Sequence, residues 1–204
     1  TLLKEIPHPI VEACKSLARS IGIHTALYGG ALRDVLLDDT PADWDIALFV
    51  DSSLTVKAVD SLQSKVKSTL TGWEWCEHPV WGSADCESYC LAPADKPDTY
   101  YLDIFTYPVY GESGLAAARF LVNLGTNLNW NQIALVFPPN EDPCLILGHN
   151  YLQTLGSTLC ASESPLLTEK ALITYRKLIR RHPDARIDPR LDQLVERSKT
   201  ALRR

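Results

Sequence analysis

The sequence predicts an α+β fold: a mixed β-sheet with flanking helices, followed by a helical extension. Three observations carry that expectation. Short apolar and β-branched runs bounded by Gly and Pro crowd the chain as far as Phe137. From about residue 150 the apolar spacing becomes helical. Strands gathered first and helices last sort into α+β, not into a regular βαβ alternation. At 204 residues there is room for one large domain, or for a sheet domain over 1–150 and a helical extension over 151–204.

Residues 9–21 place Ile10, Val11, Cys14, Leu17, Ala18 and Ile21 on one helical face, and Gly22 ends that helix. Residues 23–28 read as a strand entering a Gly29-Gly30 turn, 31–37 as a short helix and 44–50 as a second strand. Residues 54–70 alternate apolar and Lys/Ser positions at helical spacing. Residues 73–81 and 87–91 suit a hairpin, with Gly82-Ser-Ala-Asp85 supplying the turn, and 93–98 a loop. Residues 100–107 are rich in β-branched and aromatic side chains, as strands are. Residues 113–122 read as a helix, and 132–137 as a last strand stopped by Pro138-Pro139. Beyond 150 the two long helices are expected at 166–181 and 189–203. No repeat or low-complexity segment interrupts this order.

Hydrophobic content of 46% and charged content of 22% are those of an ordinary globular protein. There is no run of 18 apolar residues and no basic, apolar leader, so the expectation is a cytoplasmic protein without a membrane span. The sequence contains no Met, so it is read as lacking its natural start. The net charge of −5 is low for a nucleic-acid binder, but it is unevenly spread. From Lys170 to Arg204 eleven Lys and Arg side chains face only Asp184, Asp188, Asp192 and Glu196. That basic end suits either an RNA-contacting face or a solvated amphipathic helix.

The chemistry concentrates in residues 27–50, where Gly29-Gly30 is followed, after twelve residues, by Asp43-Trp44-Asp45. Glycines let a turn lie close to a phosphate, and the helix behind it directs amide N–H groups and a positive dipole end at the same anion. Carboxylates at i and i+2 of a strand share one face and suit two oxygen-preferring cations about 4 Å apart. The plain alternative is a Gly-Gly turn followed by a surface Asp pair. A further carboxylate, Asp103, sits within Tyr100-Tyr-Leu-Asp-Ile-Phe-Thr-Tyr107. An Asp in so apolar a strand is costly unless it is paired or bound to metal. Asp85, Asp95 and Asp98 fall in turn or loop sequence and are weaker candidates.

Gly29-Gly30-Ala-Leu-Arg33-Asp34-x-Leu-Leu…Asp43-x-Asp45 resembles the head domain of the tRNA nucleotidyltransferase (CCA-adding) and bacterial poly(A) polymerase family, within the DNA polymerase β-like nucleotidyltransferases. The resemblance implies an α+β head, a helical neck and transfer of NMP from an NTP to a hydroxyl. Carried onto these positions, Asp43, Asp45 and Asp103 hold Mg²⁺ (or Mn²⁺), and Asp103 helps to activate the acceptor. Gly29, Gly30 and Arg33 grip the triphosphate, with Asp34 fixing Arg33. In the neck, Glu169-Lys-Ala-Leu-Ile-Thr-Tyr-Arg176 stands where the family's neck opens; Arg176 takes the place of one phosphate-contacting arginine, and Ile173 stands where another would be. The implied partners are ATP and/or CTP and an RNA 3′ end.

The likeness thins elsewhere. The family's Arg-Asp pair ahead of its last strand is Leu128-Asn129 here, leaving the amides of Asn131 and Gln132 as candidates to meet a sugar or base. The Glu-Asp-x-x-Arg motif that selects the base in the family is absent. Other readings are an acceptor on a protein or small molecule, or a catalytically silent binding head. Gly-x-Gly-x-x-Gly, Walker A and nucleophile-elbow sequences are missing. Cys76-x-His78…Cys86-x3-Cys90 has zinc-capable residues without a Cys-x2-Cys knuckle, so reduced cysteines beside a strand pair are the expectation.

Overall fold

The computed structural model describes residues 2–41, 43–52, 56–76, 88–96, 101–124, 128–154, 158–161 and 167–202. After a single turn at Leu2–Glu5 (α1), the first long helix is His8–Ile21 (α2), with Pro at its start and Gly22 in the left-handed conformation at its end (φ 79°). Its apolar stripe, Ile10, Val11, Ala13, Cys14, Leu17 and Ala18, is buried, as its periodicity demands. Strand Thr25–Tyr28 (β1) leads through Gly29 into helix Gly30–Leu36 (α3), and strand Asp43–Asp51 (β2) follows. Then come helix Val56–Thr69 (α4), strands Trp73–Trp75 (β3), Ser88–Pro93 (β4) and Tyr101–Val109 (β5), and helix Gly114–Leu124 (α5).

A one-turn 3₁₀ segment, Asn129–Asn131, precedes strand Ile133–Phe137 (β6). The sequence reading stopped the sheet there, but Cys144–Leu147 (β7) continues it, pairing antiparallel with β6. Past residue 150 the chain is not wholly helical either. Helix His149–Thr154 (α6) is followed by Thr158–Leu159 (β8), which pairs in parallel with Arg186–Ile187 (β9). Helices Glu169–Arg181 (α7) and Pro189–Leu202 (α8) occupy the expected places. The expected turn 82–85 and most of the first hairpin strand lie outside the described residues.

Among the described residues the main sheet runs β3-β4-β5-β2-β1-β6-β7. Within that sheet, among the described residues, only β2 and β5 pair in parallel, so it is mixed, as expected. Strand alternation sends Trp44, Ile46 and Leu48 to one face, into a core with α2, Leu62 and Val66 of α4, Leu102 and Ile104. The other face packs Ala47 and Phe49 against Ala117, Ala118, Leu121 and Val122 of α5. A third core joins Leu128 and Trp130 to α7 and α8 through Leu159, Leu172, Leu178, Leu191 and Val195. Among the described residues no helix is long and apolar enough to cross a membrane.

Asn129 ties the last core to the sheet. It is fully buried, donates from Nδ2 to Thr154 Oγ1 and Thr158 O (both 2.9 Å), and accepts at Oδ1 from Cys160 N (2.9 Å). Asn129→Leu keeps the volume but orphans these groups, at about 1–3 kcal/mol for each one left buried and unpaired. Urea titration should show a midpoint reduced accordingly, with hydrogen exchange at the Cys160 amide accelerated more than at β1. An unchanged midpoint would refute this role.

Candidate active site

The acidic cluster is a product of strand register. Asp43 and Asp45 lie two apart at the start of β2, and Asp45 stands opposite Asp103 in the parallel ladder with β5. All three therefore share one sheet face. Cys90 of β4 stands opposite Asp103 on its other side. β1 runs antiparallel to β2, with Leu27 opposite Ile46, so the chain leaves β1 at Gly29 beside the start of β2. The turn and the carboxylates thus meet at one end of the sheet.

Gly29 has φ 74° and ψ −128°, a conformation open only to glycine, while its N–H is bonded to Ile133 O at 3.0 Å. Gly29 therefore contributes conformation, and the amide donors directed outward are those of the first turn of α3, which have no intrahelical acceptor. At Gly30 a Cβ would meet only Arg33 Nη2, at 3.5 Å, an ordinary contact. Only the first glycine of the pair is needed for the turn itself.

Arg33 is buried, at 6% exposure, along with Asp34. Its Nε donates to Asp34 Oδ1 (2.7 Å), Nη2 pairs with the same oxygen, and Nη1 donates to Asn131 Oδ1 (2.7 Å). The sequence reading of Asp34 as the group that fixes Arg33 matches this geometry. Asn131 is a second anchor that no motif indicated, since it lies 98 residues away in sequence. Gln132, suggested as a base- or sugar-contacting amide, is fully buried and spent on structure: Nε2 donates to Asn123 O and Oε1 accepts from Asn150 N. The network continues into α7, where Arg181 Nη1 lies 3.8 Å from Asp34 and 3.7 Å from Asp39, and His182 meets Asp39 at 3.0 Å.

The electrostatics follow from crowding. Asp45 is half-buried at the start of β2, and its pKa is pushed up to about 7. Burial is the largest cause and the Asp43 charge the next; Lys170 opposes them, Asp103 adds to them, and Arg33 opposes them weakly. Lys170 is the residue that sequence reasoning missed. It occupies the second position of α7, and the phase that turns Arg181 toward Asp34 and Asp39 turns Lys170 the same way, eleven residues and just over three turns earlier. A lysine just inside a helix whose N-cap Thr168 accepts from Ala171 N was a faint signal. Arg176 lies exposed on a different side of α7.

Three carboxylates around a raised pKa, with oxygen donors only, fit a hard divalent cation. Among the described residues no three His, Cys, Asp or Glu side chains converge at ligand geometry, so the acids share a face without closing into a cage. Of the zinc candidates, Cys76 and Cys90 lie with their sulfurs 2.8 Å apart, and His78 and Cys86 lie outside the described residues. Burial first, then the hydrogen bond with Cys76 and the Asp103 charge, push the Cys90 thiol up and keep it protonated. A separate cavity of about 360 Å³, between α6 and α8, includes Cys160, Asp188, Arg190 and Arg197 but none of these acids.

A raised Asp45 makes stability pH-dependent with a definite sign. The folded state holds a proton more tightly than the unfolded state, whose ordinary value is 3.8. In metal-free protein this contribution is full below about pH 4 and is lost as pH rises through about 7. Urea midpoints should therefore fall across that interval in the wild type and show a shallower fall in Asp45→Asn. Equal slopes would show that Asp45 does not carry the effect.

No protein-family model matches the chain, and no curated protein does. Solved structures do. A Thermotoga maritima CCA-adding enzyme in complex with tRNA superposes with a TM-score of 0.63 at 15% identity, over 97% of this chain and 43% of that one. A CCA-adding enzyme in complex with CTP gives 0.65 at 16%, over 98% and 45%. A tRNA nucleotidyltransferase with a primer tRNA and an incoming ATP analogue gives 0.61 at 14%, over 92% and 50%. The chain thus spans about half the length of these proteins, and over that span it has the nucleotidyltransferase head fold of the CCA-adding enzymes.

Proposed function

We propose that the chain is a divalent-metal-dependent nucleotidyltransferase that moves NMP from an NTP to an acceptor hydroxyl, the acceptor being an RNA 3′ end of the tRNA type. The observation that carries this reading is the placement of Asp43, Asp45 and Asp103 on one sheet face beside the Gly29 turn. The fold likeness supports it, because the similar structures are described with CTP, an ATP analogue and tRNA.

Asp43, Asp45 and Asp103 are the residues that would hold Mg²⁺ or Mn²⁺, which when bound neutralises triphosphate charge and makes the acceptor hydroxyl more acidic. Asp45 must shed its proton to take part, which ties cation affinity to pH. Asp103 receives the hydroxyl proton as the acceptor oxygen bonds to the α-phosphorus and the bond to the β-phosphate oxygen breaks, releasing pyrophosphate. Lys170 and Arg33 flank this acid cluster with positive charge. Lys170, exposed and on the side of α7 turned toward the acids, binds the triphosphate; Arg33, locked by Asp34 and Asn131, holds the turn and adds its field. Arg176 is the second basic candidate from α7.

Purified protein, Mg²⁺ and each labelled NTP in turn, with total RNA including tRNA trimmed at its 3′ ends, test the reading. Label should enter RNA. Asp43→Ala and Asp45→Ala should each lower kcat by about a hundredfold or more, the scale for removing a stabiliser of transition-state charge, with melting temperature retained. Asp103→Asn should depress kcat far more than it raises KM. Label on protein alone would move the acceptor to a side chain, and no label with retained NTP binding would make the chain a silent head. Lys170→Ala should raise the KM for NTP by roughly tenfold, as for the loss of one charge-assisted contact, at near-constant kcat. An unchanged KM would remove Lys170 from the triphosphate.

A further inference from the structure

The Cys76–Cys90 pair is unused by the reaction but touches its machinery. The sulfurs are 2.8 Å apart, and the strands that carry them are joined at this point by Cys76 N–H donating to Cys90 O at 3.1 Å. The pair thus sits at the end of the β3–β4 ladder, one step beyond Trp75 opposite Leu91. Neither cysteine is in a disulfide, and the sulfurs need to close by less than about 1 Å to reach bonding distance. Cys76 is partly exposed and Cys90 is buried, so an incoming reagent meets Cys76 first. On its inner side Cys90 stands opposite Asp103 in the ladder with β5, so the two side chains share one sheet face.

We propose that Cys76 and Cys90 form a reversible dithiol–disulfide site, oxidised by small-molecule disulfides of the glutathione class, and that oxidation replaces the thiol opposite Asp103 with a disulfide. The chemistry balances in two exchanges. The Cys76 sulfur attacks the reagent disulfide, forming a mixed disulfide and releasing one thiol. The Cys90 sulfur then attacks the Cys76 sulfur, closing the protein disulfide and releasing the second thiol. The two hydrogens of the protein thiols end on the two released thiols, and two electrons pass to the reagent. A disulfide has no S–H, so the group opposite Asp103 can no longer donate to it. The effect on turnover rests on the transferase reading; the oxidation does not.

The test equilibrates the protein in buffers of reduced and oxidised glutathione, alkylates the remaining thiols under acid conditions and maps peptides by mass. The expected product is a peptide linking Cys76 to Cys90, lighter by two hydrogens and abolished in Cys76→Ser. Nucleotide transfer should fall about tenfold on oxidation, as for one hydrogen bond to a charged group, and recover with dithiothreitol. Cys76→Ser should be active and insensitive. Cys90→Ser, which keeps a donor for Asp103, should stay active, and Cys90→Ala should be slow in either buffer. Linkage of either cysteine to Cys86 or Cys144 instead, thiols shielded by bound zinc, or a linked protein with unchanged turnover would each overturn the proposal. If neither form transfers nucleotide, the transferase reading fails, and the linked peptide alone decides: its presence upholds the oxidation site and its absence sinks it.

Discussion

The in-register ladder between β2 and β5 is the constraint on which the site depends. It runs from Asp43 opposite Tyr101 to Asp51 opposite Val109, and its parallel sense puts Asp45 directly against Asp103. Two carboxylates side by side, with Asp43 two residues away, is a placement that a sheet at equilibrium avoids. The cost is visible in the proton that Asp45 keeps up to about pH 7. The ladder is held in this register by what lies on its other face. Trp44, Ile46, Leu102 and Ile104 fill the larger core, and a one-residue slip would turn them outward. Apolar burial on one face thus holds like charges together on the other.

Compensating charge comes from a buried arginine and from the C-terminal helices. Arg33 is desolvated, which is tolerable only because Asp34 and Asn131 occupy its guanidinium. The same Asp34 faces Arg181 of α7, and Asp39, just past α3, takes Arg181 and His182. One short acidic stretch therefore orients the turn behind the site and docks the helix that carries Lys170. The docking is not electrostatic alone, since Leu37 packs into the core that Leu172, Leu178 and Leu191 share with Leu128 and Trp130. This explains how a chain with a net charge of −5 can present positive charge at one place. The basic residues of α8 are partly neutralised locally, Arg190 by Asp188 and Lys199 by Glu196.

What the sequence disclosed was the part written in local pattern. The stripe of α2, its Gly22 stop, the alternation of β2 and the apolar setting of Asp103 each reflect a periodicity or a conformational demand within a few residues, and each element stands where that pattern put it. Strands beyond the Pro138-Pro139 stop were lost: β7, and β8 and β9, which have two residues each. The site was legible in its acids, which share a strand or sit in one conspicuous run. Its supports were not. Asn131 reaches Arg33 across 98 residues, and Gln132, an amide that invited a ligand-binding role, is occupied by Asn123 and Asn150. Long-range polar pairing leaves no trace in spacing.

The same logic gives Cys90 its importance. Across the sheet the order is Cys76, Cys90, Asp103, Asp45, each joined to the next by a sulfur contact or strand register. Under the proposed chemistry Asp103 would hold a cation and take up a proton, and such a carboxylate is sensitive to every donor beside it. Lys170 and Arg33 act on the cluster from outside the acidic row as fixed charges, whereas Cys90 places opposite Asp103 a thiol that chemistry can change. Under the proposal the group opposite Asp103 has two settings where a serine there would have one. The position of Cys76 at the partly exposed end of that row is what would let the surroundings choose between them.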